Sequence, residues 1–354
     1  MKLSIIVPTF KRTTLLRKLW SSLAQRMEEL DPFDSIEVLF IINGDDEKTK
    51  IYLEGLRDKR LVILHCAQKS PAHARNKAVE KARGDWLLFL DDDVRLPKHY
   101  LTKALKTLNT HGPDVLGGPE MGYPAESSFQ KAYSFCQSHP LVTGHTHHRH
   151  HQSGSLRKGD EHELILCHLW IKREIFEEGL RFNDLYYRNE ENVLLSELKR
   201  GQKKIVYDPK LYVYHFKKDR ISKVIQSTFL SGVYRIKSIL EFQGLFHPLF
   251  LIPPALVLYL VFLSAFAVLS WARLPLGIFV PLLLYGGHVL LTFAHAGIRT
   301  KKMSVSLWVL PLVVLIHLSY GLGFLCGLMG NKRRREAGYA DKILADNPEG
   351  NVLP

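Results

Sequence analysis

Three consecutive carboxylates, Asp91-Asp92-Asp93, end an unbroken apolar run at Trp86–Leu90. Adjacent carboxylates repel one another and resist burial unless a cation compensates them. Two of them with one residue between, at a strand end, can hold a hard divalent ion. Mg²⁺ in such sites keeps waters and shares its ligands with substrate phosphates. A solvated acidic turn ahead of a helix near Lys98 accounts for the same residues without any ligand. A second acidic pair, Glu190-Glu191, follows the triad at long range; it reads either as a base brought in from a distant part of the chain or as ordinary acid in the first turn of a helix. A run with five histidines, His145, His147, His148, His150 and His151, has transition-metal ligand types but no fixed ligand spacing. It reads as a mobile, partly cationic loop. Neither GxxxxGK[ST] nor GxGxxG occurs, which disfavours a P-loop kinase and a nicotinamide enzyme.

The elements that must position these residues alternate. Leu3–Pro8, Ile36–Ile42, Leu61–His65 and Trp86–Leu90 read as buried strands. Leu15, Leu16, Leu19, Leu23, Met27 and Leu30 recur at helical spacing. Ser70-Pro71 reads as an N-cap followed by Pro at the first helical position, with Gly84 as the stop. Strand, helix, strand, helix implies an α/β fold with a mostly parallel sheet and helices on both faces. Ligands in such sheets bind outside the carboxyl ends of the strands, where the aspartates fall. Regularity weakens between Gly117 and Gly159. A helix is expected from Glu190 to about Arg200, closed by Gly201, and one or two strands within Lys204–His215.

The 354 residues carry a net charge of +13, unevenly spread. From Pro248 to Ile298 the only full charge is Arg273, and Met303–Gly330 has none. Segments at 248–272, 274–297 and 304–329 are each long enough to cross a bilayer. The expected division is therefore a catalytic domain at 1–218, an amphipathic stretch lying on the membrane surface at 219–246, about three transmembrane helices at 247–330, and a basic tail at 331–354. The cations cluster beside the apolar segments, which suits an anionic cytoplasmic leaflet better than nucleic acid. No signal peptide is read at the N-terminus, and the four cysteines show no metal-ligand spacing and suit a reducing compartment. A multi-pass protein of the cytoplasmic membrane, with its first domain in the cytoplasm, is expected. Three crossings would put Lys332–Arg335 outside, against the positive-inside rule.

Several runs together resemble glycosyltransferase family 2. Ser4-Ile5-Ile6-Val7-Pro8-Thr9-Phe10 is similar to its opening strand and loop. Ala74-Arg75-Asn76, then Ala82, Gly84 and Asp85, then Phe89-Leu90-Asp91-Asp92-Asp93, resemble its A-R-N…A-x-G-D…F-L-D-D-D stretch. Ile171–Gly179 with Phe182-Asn183-Asp184, and Glu190-Glu191 with Gly201, Lys204–Tyr207 and His215, resemble two later ones. The resemblance spans roughly residues 3–216 and implies a GT-A-like fold and an inverting, nucleotide-sugar-dependent transferase using Mg²⁺ or Mn²⁺. It implies that Pro8, Thr9 and Arg75 line the nucleotide pocket and that Asp91 and Asp92 face the donor. It implies that Asp93, with Asp91 and His215, serves the metal, and that Glu191, preceded by Glu190, holds the place of the base. Displacement at an anomeric carbon needs exactly such a division of labour in chemical terms: a cation for the departing diphosphate and a carboxylate for the acceptor's proton. Ile42 stands where the family often has a base-reading Asp, leaving Asn43 to bond the base, and His168 stands where many members have Asn near the acceptor. No Q-x-x-R-W occurs, which favours addition of one sugar. The His317–Phe324 stretch resembles the membrane segment of members that build exopolysaccharide or cell-envelope glycans, with Gly321, Gly323 and Gly327 permitting close helix packing. The implied acceptor is a lipid-linked (polyprenyl) glycan; a polyprenyl phosphate acceptor and a non-catalytic glycan-binding scaffold remain as alternatives.

Overall fold

Period-two alternation of apolar side chains sorts the central strands onto two cores. In β1 (Lys2–Thr9), Leu3, Ile5 and Val7 join one cluster and Ile6 the other; in β2 (Ser35–Asn43), Val38, Phe40 and Ile42 oppose Leu39 and Ile41. A strand buried on both faces must lie inside a sheet covered on both sides. The computed structural model describes residues 1–30, 35–67, 69–242, 244–269 and 275–333.

The first half runs β1, α1 (Thr13–Glu28), β2, α2 (Glu47–Glu54), β3 (Leu61–Cys66), α3 (Pro71–Val79), β4 (Trp86–Leu90), β5 (Val94–Arg95) and α4 (Tyr100–His111). Then come β6 (Val115–Gly117), β7 (Glu120–Gly122), α5 (Ser128–Gln137), α6 (Pro140–Thr143), β8 (Arg157–Lys158), β9 (His168–Lys172) and α7 (Arg173–Glu177). α8 (Glu190–Arg200), β10 (Ile205–Tyr207) and β11 (Val213–His215) follow. The last helices are α9 (Ile221–Glu241), α10 (Ile252–Leu269), α11 (Val280–Thr300) and α12 (Met303–Arg333).

The main sheet has the order β3-β2-β1-β4-β9-β6-β10-β8. β3, β2, β1 and β4 are mutually parallel, as the sequence pattern requires, and β10 is parallel to β6. β9 enters antiparallel between β4 and β6, and β8 is antiparallel to β10, so the sheet is mixed. A second sheet, β5-β11-β7, is built from strands of two or three residues. Ser70 caps α3 by accepting from the His73 N–H at 3.3 Å. α3 ends at Val79, before Gly84. Gly84 serves a close approach instead: a Cβ there would stand 2.4 Å from the Ser4 main-chain nitrogen.

The chain divides into two units. One holds Met1–Tyr123 and His148–Phe216, hence both sheets. The other holds Pro124–His147 with the chain from Lys217 onward, so the grouping is not linear in sequence. Within this second unit, α5 opens with a capping box between Ser127 and Gln130 and sets Phe129 edge-on to Trp308, ring centroids 5.3 Å apart. α9 packs along α12 through glycine. A Cβ on Gly323 would lie 1.9 Å from the Phe229 carbonyl oxygen, and one on Gly232 2.2 Å from that of Tyr320. Of the apolar residues spaced along α9, Val224, Val233 and Ile236 are buried, while Ile221 and Ile225 are exposed. Pro248–Val268, Leu276–Thr300 and Met303–Gly330 are long and apolar enough to cross a membrane. The turn holding Arg273 and the basic tail beyond residue 333 lie outside the described residues. His317 joins segments of this unit, with Nε2 3.0 Å from the Val142 carbonyl and Nδ1 3.1 Å from the Tyr285 hydroxyl.

Candidate active site

The site lies in the first unit, at the carboxyl ends of β1 and β4, where main-chain groups leave the ladder and side chains converge. β4 is fully buried as far as Leu90; Asp92 and Asp93 stay buried past it, while Asp91 is partly exposed. The solvated-turn alternative therefore fails, since buried carboxylates need partners, and each has one. The Thr9 hydroxyl donates to Asp92 Oδ2 at 2.8 Å. Arg12 Nη1 donates to Asp92 Oδ1 at 3.2 Å and to Asp93 Oδ2 at 3.0 Å. Arg75, from α3, donates to Asp91 Oδ1 at 2.7 Å through Nη2 and to Glu190 Oε1 at 3.0 Å through Nη1. One guanidinium thus links the triad to the first residue of α8.

The small sheet supplies the other side. β11 pairs with β5 and β7, setting His215 opposite Val94 and Val213 opposite Glu120. His215 Nε2 lies 3.0 Å from Asp93 Oδ1, and its Nδ1 lies 2.7 Å from Glu120 Oε2. His150 Nδ1 is 2.7 Å from Glu120 Oε1. Burial opposes the His215 imidazolium, but Asp93 and Glu120 outweigh it and raise the ring to about 10. Burial pushes the Asp92 carboxyl up to about 6, against the lowering effect of Arg12. It pushes Glu190 up to about 7, helped by Glu191 and resisted by Arg75.

Glu191 is held from the histidine run. Arg149 Nη1 donates to Glu191 Oε1 at 3.0 Å, Nη2 to the Asn192 side chain at 2.8 Å and to the Glu161 carbonyl at 2.7 Å, and Nε to the His162 carbonyl at 2.9 Å. The expected mobile loop is a 3₁₀ turn over Gly144–His150, with Arg149 buried. Its histidines misled because the residue that fixes the turn is the arginine among them.

The structure thus brings Thr9, Asp92, Asp93 and His215 into one bonded network through Arg12, and Asp91, Arg75 and Glu190 into a second that meets it where Asp91 adjoins Asp92, with Glu191 next to Glu190 on α8. Pro8 and Asn43 sit at the same sheet edge, but no hydrogen bond among the described residues ties either to the triad. Asn43 spends its amide on the chain: Nδ2 donates to the Lys69 carbonyl at 2.8 Å, and Oδ1 accepts from the Lys69 N–H at 3.1 Å. Asp46 likewise accepts from the Lys11 and Thr49 N–H groups at 2.5 and 3.1 Å. His168, matched to an acceptor-side Asn, is fully buried. Its Nδ1 lies 3.2 Å from the Tyr100 hydroxyl, and burial lowers it to about 4. Sequence reasoning missed Arg12, Glu120 and Arg149, and it placed His150 in a loop rather than against Glu120. Beside Arg12 opens a cleft of about 530 Å³ lined by Lys11, Thr13, Asp45, Asp46 and Lys48.

Among the described residues no three His, Cys, Asp or Glu side chains form a ready ligand set. Asp93 and His215 offer one carboxylate oxygen and one ring nitrogen 3.0 Å apart. That partial set fits Mg²⁺ or Mn²⁺ completed by phosphate oxygens and water, and would not make a structural cage.

Comparisons with known proteins place the chain among sugar-transferring relatives. The succinoglycan biosynthesis protein ExoM of Rhizobium meliloti is 30% identical over 120 residues, which are 33% of this chain and 38% of ExoM. The matched stretch thus falls well short of two thirds of that relative. A GalNAc(5)-diNAcBac-PP-undecaprenol beta-1,3-glucosyltransferase of Campylobacter jejuni is 32% identical over 33% of this chain and 37% of its own length. ExoA of Rhizobium meliloti is 22% identical over 93% of this chain and 96% of its own. The crystal structure of S. aureus TarS 1–349 in complex with UDP-GlcNAc superposes with a TM-score of 0.51, at 16% identity, over 94% of this chain and 92% of that one, and so shares the fold. The sequence profile of glycosyl transferase family 2 matches residues 4–180, half of the chain, and the protein belongs to that family.

Proposed function

We propose that the protein is a membrane-anchored glycosyltransferase. It moves one sugar, with inversion, from a nucleotide-sugar donor to a lipid-linked (polyprenyl) glycan at the cytoplasmic face of the membrane. The observation that carries this reading is a pair of bonded networks that meet where Asp91 adjoins Asp92 in the chain: Asp92, Asp93 and His215 with Arg12, and Asp91 and Glu190 with Arg75. The UDP-GlcNAc complex of the structural neighbour and the undecaprenol-linked substrate in the Campylobacter relative's name support the donor and acceptor classes. The domain division supports the same picture, with catalysis in the sheet unit and anchoring by the three apolar helices.

Asp93 and His215 would hold Mg²⁺ or Mn²⁺, which neutralises the charge developing on the departing diphosphate. Thr9 and Arg12 fix Asp92, and Arg75 fixes Asp91 toward the donor. Glu191, or Glu190 before it, takes the acceptor hydroxyl's proton as that oxygen attacks. The test is transfer to membrane lipid extracts from a panel of nucleotide sugars with Mn²⁺. Asp93→Ala and Glu191→Gln each abolish transfer, and Glu191→Gln retains donor binding; full activity in both variants removes the mechanism.

The Arg149–Glu191 pair favours a second reading. A carboxylate already bonded to a guanidinium is a poor base, and a polyprenyl phosphate acceptor is already ionised and needs none. A wild-type rate in Glu191→Gln with Asp93→Ala inactive selects this acceptor.

A further inference from the structure

Arg12 was absent from every sequence motif, yet its guanidinium bonds two of the three aspartates. Nη1 alone reaches Asp92 at 3.2 Å and Asp93 at 3.0 Å. Its main chain is fixed: the carbonyl accepts from the Leu15 and Leu16 N–H groups at 2.9 and 3.0 Å, opening α1. The preceding Lys11 N–H is tied to Asp46. Its side chain is not sealed in, being 32% exposed, against 5% for Asp92 and 10% for Asp93. It also lines the cleft of about 530 Å³ with Lys11 and Lys48. Arg12 therefore lines that opening and bonds the two carboxylates at once, anchored at its backbone and with its side chain partly exposed.

A divalent cation bound at Asp93 would lie within a few ångströms of this guanidinium, and like charges that close repel. The two cannot share the carboxylates. The planar fork released from them matches phosphate oxygens in a bidentate pair. We propose that Arg12 is an exchangeable counter-cation. It neutralises Asp92 and Asp93 before loading, yields them to the metal, and then bonds the donor's diphosphate. The inference rests on reading this site as a metal-dependent nucleotide-sugar site. It assigns Arg12 both a competitive effect on metal and a direct contact with the second phosphate.

The two effects have opposite signs, which separates them from simple damage. Mn²⁺ titration followed by electron paramagnetic resonance, without nucleotide, gives the first. Arg12→Gln binds Mn²⁺ on the order of tenfold more tightly than wild type, since a competing charge is gone. Calorimetry with UDP, GDP, UMP and GMP at saturating Mn²⁺ gives the second. Arg12→Gln weakens the diphosphates by roughly tenfold and the monophosphates much less, as loss of one charge-assisted pair requires. Unchanged or weaker Mn²⁺ binding overturns the exchange, and equal losses for mono- and diphosphates overturn the phosphate contact. Arg12→Lys keeps the charge without the fork. It holds wild-type Mn²⁺ affinity but loses diphosphate affinity, so it decides the matter if Arg12→Gln fails to fold; wild-type diphosphate affinity in the lysine variant also overturns the contact. Wild-type protein that binds neither Mn²⁺ nor any of the four nucleotides would instead sink the reading of the site, a result distinct from failure of the exchange.

Discussion

Arg149 bonds Glu191 at 3.0 Å, with side-chain exposures of only 9% and 10%. Three further donations, to the carbonyls of Glu161 and His162 and to Asn192, lock the guanidinium in place. Removing one partner of a buried pair leaves the other charge uncompensated, which costs about 3–5 kcal/mol, whereas replacing both by apolar groups costs far less. Arg149→Met therefore lowers the melting temperature in detergent sharply, and Arg149→Met with Glu191→Leu recovers much of the loss. Equal losses in the single and double variants would mean that Arg149 acts through its carbonyl bonds alone.

Glu190 gives the fold a pH dependence of predictable sign. Its carboxyl rises from the ordinary 4.5 to about 7, first because it is buried and next because Glu191 is adjacent, while Arg75 pulls the other way. The folded state therefore holds a proton that the unfolded chain releases above pH 4.5. Stability contributed by this group is lost as pH rises from 4.5 through 7. Glu190→Gln cannot ionise and escapes the loss. Thermal unfolding at pH 5 and pH 7 should show wild type losing ground to Glu190→Gln at the higher value, and parallel changes in both proteins would refute the assignment.

The glycine contacts of α12 make a sharper structural prediction. A side chain on Gly323 meets the main chain of Phe229 at 1.9 Å, and backbone cannot swing aside. Overpacking of this kind costs roughly 1–3 kcal/mol or more, so Gly323→Val separates α9 from α12 and lowers the melting temperature. Nothing stands within 4 Å of a Cβ on Gly286, and Gly286→Ala serves as the control that retains stability. If Gly323→Val melts like Gly286→Ala, the close packing of α9 on α12 is wrong.

What could be read in the sequence followed the length and regularity of each element. β1 to β4 are five to nine residues long, enough for an apolar run to stand out, and the aspartates ending β4 were found with them. β5, β7 and β11 have two or three residues each, too few for any period, so the sheet that sets Glu120 against His215 left no trace. Arg149 was masked by the histidines around it, which made a buried anchor look like a solvated loop. α5 could have been found from the Ser127–Gln130 spacing of its capping box. Its place in the unit formed by the chain from Lys217 onward could not, because docking between distant segments leaves no local pattern.

Glu120, the residue the sequence hid best, carries the last prediction. It is 2% exposed and touches both His215 and His150 at 2.7 Å. A carboxylate on the far nitrogen of an imidazole fixes the ring's tautomer and orientation, and losing such a partner typically costs 10–100-fold in metal affinity. Glu120→Gln keeps the shape and the bonding capacity but not the charge. It should weaken Mn²⁺ binding within that range while leaving far-ultraviolet circular dichroism unchanged. An unaltered Mn²⁺ titration in folded Glu120→Gln would show that His215 is not positioned for the metal by this carboxylate, and the ring would then be a bridge between two acids and nothing more.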